Sequence, residues 1–95
     1  MIKFIVIMRV WFDGLNCYHS VKISSVKTGK LIYDSFENKH MVYGSDARNT
    51  ALEWLAKNKY LPVKYRDNNK WWSYEMDNDY PIYWLTIEVS RKKDL

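Results

Sequence analysis

Residues 2–12 read IKFIVIMRVWF, and apolar side chains occupy every even position of this segment. The odd positions mix apolar residues with Lys3 and Arg9. A period of two over such a length predicts a β-strand, because successive side chains of a strand point to opposite faces. The even face must then be the core face, and the odd face is either partly covered or an interaction surface.

The residues that follow predict two further strands, which continue the first in an antiparallel meander. Asp, Gly and Asn within residues 13–16 favour a turn, and a second strand is predicted over residues 17–27. Thr and Gly at 28–29 then predict a tight hairpin into a third strand over residues 30–36.

A single helix is predicted over residues 45–58. Ser45 can cap the first N–H groups, Asp46 complements the positive end of the helix dipole, and Pro62 forbids continuation. Small and aliphatic residues recur at helical spacing and form a stripe that can lie close against a sheet: Ala47, Ala51, Leu52, Leu55 and Ala56.

Beyond the helix, the pattern predicts a return to extended structure. Residues 63–66 are expected to be extended or a short strand, residues 71–76 alternate again, and residues 80–90 predict a final strand. In that strand the more apolar set is expected inward and the other set outward, namely Tyr83, Leu85, Ile87 and Val89 against Ile82, Trp84, Thr86 and Glu88.

The expected fold class is α+β in a single domain spanning residues 1–95. Its order is β-β-β-α-β-β: one antiparallel sheet of four to five strands with one helix packed on one face. The residues expected to be largely buried are Val6, Met8, Val21, Ile23, Leu55, Leu85 and Ile87.

The chain carries five Trp, eight Tyr and three Phe in 95 residues, together with a net charge of +4. One small core cannot absorb all of these rings, and one helix can cover only one face of a sheet. The opposite face would then be larger and more apolar than soluble monomers usually leave exposed. We expect its binding residues to be Arg9, Trp11, Tyr18, Lys22, Trp71 and Trp84.

The sequence predicts no enzyme, no cofactor and no metal site. It contains no Ser-His-Asp order, Gly-rich phosphate loop or Cys/His metal spacing. His19 falls with the inward residues of the second strand, which favours a packed, hydrogen-bonded imidazole, and His40 falls in a polar loop. Cys17 is the one cysteine, which fits a reducing cytoplasm. The longest apolar run stops at Arg9, too short to span a membrane.

Four short segments carry a resemblance to a known group of proteins. They are Arg9-Val10-Trp11-Phe12, Tyr18-His19-Ser20-Val21, Tyr43-Gly44 and the TALEWL run at residues 50–55. Together they resemble short, uncharacterised proteins encoded by phages and related mobile elements. The resemblance covers roughly residues 9–55, and Ser45 departs from it where a second aromatic-Gly step tends to occur. It implies an origin but assigns no activity or site residue.

Two functions of different classes follow from these observations. The first is a small, non-enzymatic phage-type accessory protein of the host cytoplasm, which binds a host protein or nucleoprotein through aromatic anchors, for instance as an anti-CRISPR-like inhibitor of host defence. The second is a single-stranded nucleic-acid-binding protein that stacks bases on Trp11, Tyr18, Trp71 or Trp84, each stack contributing roughly 1–3 kcal/mol. A homodimer that buries the same face is a third possible use of it.

Overall fold

The computed structural model describes residues 1–12, 14–15, 17–34 and 47–95. The fold is α+β, with one four-stranded mixed sheet and a few short helices. The strands are β1 (Phe4–Phe12), β2 (Cys17–Ser25), β3 (Leu31–Asp34) and β4 (Ile82–Glu88). The helices are α1 (Ala47–Lys57), α2 (Val63–Arg66) and α3 (Tyr74–Asp77), with 3₁₀ segments at Asp67–Ser73 and Lys92–Asp94. The predicted cap residues, Ser45 and Asp46, lie outside the described residues.

The sheet has the order β3-β2-β1-β4, so β1 is a central strand. β1 and β2 pair antiparallel with Val6 opposite Ile23, and β2 and β3 pair antiparallel as well. β4, however, pairs parallel to β1, with Val6 opposite Trp84. The prediction of a purely antiparallel sheet is therefore wrong. The helices α1 to α3 lie between β3 and β4 in the sequence, and parallel strands require a long connection of this kind.

The core lies between the even face of β1 and the helices. Val6, Met8, Val21, Ile23 and Leu55 are buried in it, as predicted. Leu85 and Ile87 are 42% and 38% exposed, so their predicted burial is wrong. The register explains the error: β4 places Ile82 opposite Phe4 and Trp84 opposite Val6, which puts its even residues on the core side. Ile82 is buried accordingly.

The segment between α1 and β4 is helical, so the extended structure predicted for residues 63–66 and 71–76 is wrong. Leu61, Tyr65 and Tyr74 are buried in the core, and the rings of Tyr65 and Tyr74 meet edge to face with centroids 5.2 Å apart. The Tyr65 hydroxyl donates to Asp77 Oδ2 at 3.0 Å and accepts a hydrogen bond from Asn78 Nδ2 at 3.1 Å. These contacts fix the short helices against the core.

The end of α1 is closed by a left-handed residue, Lys59, whose φ is 66°. The Lys59 N–H donates to the Ala56 carbonyl at 3.2 Å, and the Tyr60 N–H donates to the Leu55 carbonyl at 2.9 Å. This pattern is the Schellman motif, which satisfies carbonyls that the helix itself leaves unpaired. The Tyr60 ring stacks on Trp54 with centroids 5.4 Å apart and completes the motif's hydrophobic contact.

Replacing Lys59 by glycine is expected to stabilise the protein by ~0.5–1 kcal/mol, because glycine adopts positive φ without the steric cost of a Cβ atom. Urea unfolding would measure the change. Lys59→Ala is the matched control, since alanine removes the lysine side chain but keeps the Cβ atom that makes positive φ costly, so it should give no such gain. Equal destabilisation by both changes would contradict the left-handed cap.

The buried phenol of Tyr74 is expected to lower the stability of the fold at alkaline pH. Burial raises the pKa of Tyr74 above its ordinary value of 10.0, and the neighbouring Tyr65 raises it further. A group whose pKa is higher in the folded state stabilises the fold below the unfolded pKa, and this contribution is lost as pH rises toward the folded pKa. We expect the free energy of unfolding to fall above pH ~10. Tyr74→Phe should flatten that slope, and an unchanged slope would contradict the assignment.

Candidate functional site

The sheet's second face, here called the outer face, lies opposite the core. It is made of the odd positions of β1 and the residues beside them on β2 and β4. The register aligns these in four rows across the sheet: Ser24, Ile5 and Tyr83; Lys22, Ile7 and Leu85; Ser20, Arg9 and Ile87; and finally Tyr18 and Trp11.

The β1–β4 half of the outer face is an apolar patch, defined by Ile5, Tyr83, Leu85 and Ile87. All four side chains are exposed, and Tyr83 is 56% exposed. Parallel pairing makes them direct neighbours, with Tyr83 opposite Ile5. Isolated exposed apolar residues are ordinary on soluble proteins, whereas a contiguous apolar patch is a candidate binding surface.

The β1–β2 half of the outer face holds four of the six predicted binding residues: Arg9, Trp11, Tyr18 and Lys22. The rings of Trp11 and Tyr18 lie 5.2 Å apart at 32°. Tyr18 is only 9% exposed, so the prediction that its ring is available for contact is wrong. Trp11 and Arg9 are half-buried, and the Lys22 Nζ lies 3.9 Å from Asp34 Oδ2.

Trp71 and Trp84, the other two predicted binding residues, do not belong to the outer face. Trp84 lies on the core side of β4, where its indole Nε1–H donates to Glu75 Oε2 at 2.8 Å. The Arg48 guanidinium carbon lies 4.9 Å from the centroid of the Trp84 ring. Trp71 lies in the first 3₁₀ segment and packs against the core. Both residues therefore join the helices to the sheet.

Much of the aromatic surplus is used in packing within the fold. Trp54 lies between Tyr33 and Tyr60, with ring centroids 4.5 Å and 5.4 Å away, and Tyr60 meets Phe4 edge to face at 6.2 Å. Trp72, in contrast, is 69% exposed, and it lies in the first 3₁₀ segment, away from the sheet. A count of rings therefore overstates the aromatic content of the outer face.

Sequence reasoning missed Tyr83, Leu85 and Ile87 as surface residues. Both alternating sets of β4 contain large apolar side chains, so hydrophobic content alone selects the wrong set for the core. Trp84 is the one residue whose type could have indicated that the even residues of β4 face the core. A Trp can pack at the margin of a core while its N–H reaches a polar partner, which here is Glu75.

His19 is buried, and its Nε2 lies 3.0 Å from Thr50 Oγ1, which agrees with a packed, hydrogen-bonded imidazole. Across residues 1–12, 14–15, 17–34 and 47–95, no three His, Cys, Asp or Glu side chains come together as a metal site would require. His40 lies outside that part of the chain. None of the described helices has the length and apolar character needed to cross a membrane.

Comparison with known proteins assigns no family or function to this site. No protein-family model, curated protein or solved structure matches the chain. The outer face, with its apolar patch and its Arg9–Trp11 end, is consequently the feature on which a functional interpretation rests.

Proposed function

We propose that the protein is a non-enzymatic binding module that recognises another protein through its outer face. The observation that supports this most directly is the apolar patch, in which Ile5, Tyr83, Leu85 and Ile87 are exposed side by side. Arg9 and Trp11 border it along β1. An apolar centre beside Arg and Trp is the composition that protein interfaces favour.

The rigidity of the sheet supports the same proposal. β1 pairs with β2 over Phe4–Phe12 and with β4 over residues 4–10, so the residues of the outer face are held in a fixed arrangement. Binding then costs little ordering of the backbone, and more of the contact energy is expressed as affinity.

The resemblance of residues 9–55 to short phage-encoded proteins favours a partner in the host cell. We infer a host protein or nucleoprotein in the cytoplasm, whose function the chain would inhibit by covering a surface. A host-defence complex of the CRISPR kind is one partner of this class.

The positions of the rings favour a protein partner over single-stranded nucleic acid. Stacking of bases needs exposed aromatic faces beside basic groups. Tyr18 is largely buried, Trp71 and Trp84 lie on the core side, and Lys22 is close to Asp34. On this face Tyr83 is the well-exposed ring, and it stands among aliphatic side chains.

The two functions are separated by titrating the protein with a single-stranded oligonucleotide and following tryptophan fluorescence at low and high salt. For a protein-binding module we expect no salt-sensitive quenching. Quenching that weakens steeply with salt would show contacts to phosphates, because such contacts release counterions. That result would replace the proposal by the nucleic-acid alternative.

The partner itself is expected to depend on the outer face. In capture from host lysate, followed by titration of the identified protein, Tyr83→Ala with Leu85→Ala should weaken binding by ~2 kcal/mol or more, roughly 30-fold in Kd. Arg9→Ala with Trp11→Ala should do the same. Trp72→Ala is the matched control, because Trp72 is exposed but lies away from the sheet. Equal binding by all variants would refute the proposal.

A further inference from the structure

β4 forms one edge of the sheet, and within the described part of the chain it pairs with β1 alone. Two hydrogen bonds show which backbone groups face β1: the Val89 N–H donates to the Val10 carbonyl at 2.9 Å, and the Lys3 N–H donates to the Pro81 carbonyl at 2.7 Å. Backbone groups of a strand alternate in direction at successive residues. The odd residues of β4 therefore bond to β1, and Trp84, Thr86 and Glu88 direct their N–H and C=O groups away from the sheet.

The two edges of the sheet differ in how they are protected. Proteins blunt edges with short strands, bulges, proline or lysine. β3, at the other edge, is described over four residues, Leu31–Asp34, and has an irregular register with β2 near Ile23 and Ser24. β4 pairs without interruption over seven residues and contains no Pro, Lys or Arg, and its one charged residue is Glu88. Among the described residues, the β3 edge is thus short and irregular, whereas the β4 edge is an uninterrupted template for a further strand.

We propose that this edge pairs with β4 of a second copy, in an antiparallel arrangement about a two-fold axis at Leu85. The sequence of β4 suits that register. Leu85 lies opposite its own counterpart, Tyr83 lies opposite Ile87, and Trp84 lies opposite Thr86. Glu88 meets Ile82, so the acidic groups of the two copies are kept apart. Apolar cross-strand pairs of this kind stabilise antiparallel sheets.

A second copy fits the edge better than an extended peptide of another protein, because the contact is self-complementary. In a two-fold interface both copies contribute the same strand, so each pair of different residues occurs twice and the residue on the axis meets its own counterpart. The result is a continuous eight-stranded sheet in which the two apolar patches meet. This inference goes beyond the proposed function, since it concerns the edge of β4 and requires no other partner.

Proline substitution at two adjacent positions tests the pairing. The Thr86 N–H points away from the sheet, so Thr86→Pro removes a bond to the second copy and leaves the bonds to β1 in place. In analytical ultracentrifugation we expect the wild-type chain at about twice its 11.5 kDa monomer mass and Thr86→Pro at the monomer mass, with unchanged circular dichroism. Ile87→Pro is the matched control: its N–H faces β1, so it should unfold the protein.

A second variant keeps the test decisive if Thr86→Pro does not fold. Leu85→Lys places two like charges opposite each other at the axis and should also give a monomer. A wild-type chain that is monomeric at millimolar concentration overturns the proposal, as does a dimer that persists in both variants. Arg9→Ala with Trp11→Ala should leave the dimer intact and weaken only partner binding, which separates this proposal from the proposed function.

Discussion

Leu55→Ala is expected to lower the free energy of unfolding by ~2–5 kcal/mol, the range for truncating a fully buried leucine. Leu55 lies on α1 and belongs to the core cluster with Val6 and Ile23 of the sheet. Truncation removes the apolar contacts of Leu55 within the core between α1 and the sheet, and it leaves a cavity that the rigid sheet cannot close. Urea unfolding with a common slope for both proteins would measure the difference.

Leu85→Ala is the matched control for this prediction. Leu85 has the same side chain but is exposed on the outer face, so in a solution dilute enough to keep the chain monomeric its truncation should cost less than ~1 kcal/mol. If the two substitutions cost the same, or if their order were reversed, β4 would have to present its odd residues to the core, and the register with β1 would be wrong.

Trp84→Ala is expected to destabilise the protein by about 2–3 kcal/mol, less than for a wholly buried Trp because its ring is half-buried. The substitution removes the ring that packs against the core, the hydrogen bond to Glu75 and the contact with Arg48. Trp84→Phe should recover most of the packing and lose the hydrogen bond, at a cost of about 1 kcal/mol.

Trp72→Ala provides the comparison for Trp84, because Trp72 is exposed on the first 3₁₀ segment. It should change the free energy of unfolding by less than ~0.5 kcal/mol. A binding role for Trp84 predicts the opposite pattern, with an unchanged stability and a weakened partner. Thermal unfolding of both variants beside a binding assay therefore distinguishes a packing residue from an interface residue.

The first strand could be predicted from sequence because only one of its two faces is wholly apolar. Phe4, Val6 and Met8 leave no choice about the side that must be buried. The antiparallel pairing then places Val21 and Ile23 of β2 on the same buried side. Assigning the even residues of β1 to the core places the odd residues, and the β2 residues beside them, on the outer face. Four of the expected binding residues do lie there, namely Arg9, Trp11, Tyr18 and Lys22.

The last strand could not be oriented in the same way. Ile82 and Trp84 are as able to fill a core as Leu85 and Ile87, and the choice depends on a parallel pairing with β1 that local sequence does not encode. Parallel pairing is a property of the crossover through the helices. This error in the orientation of β4 explains why Trp84 was expected on the outer face. It also explains why Tyr83, Leu85 and Ile87 were expected inside but are exposed.

The helical segment after α1 was misassigned because aromatic residues have high strand propensity and alternate by chance at residues 71–76. In the folded protein, packing against the core outweighs this local strand propensity. Leu61 and Tyr65 are spaced four apart and both are buried, and Tyr74 meets Tyr65 across the segment. The spacing of Leu61 and Tyr65 is the sequence signal for helix that the aromatic pattern obscured.

The parallel pairing of β1 with β4 sets the order in which the fold can assemble. The β1–β2 and β2–β3 hairpins join neighbouring segments, whereas β4 reaches β1 only after the chain has passed through its helices. Contacts between distant segments form slowly, because the entropy of closing the loop is lost before the contact is made. During synthesis, one side of β1 therefore waits unpaired until residues 82–88 have emerged. That interval is when nascent chains are most prone to associate wrongly through β1.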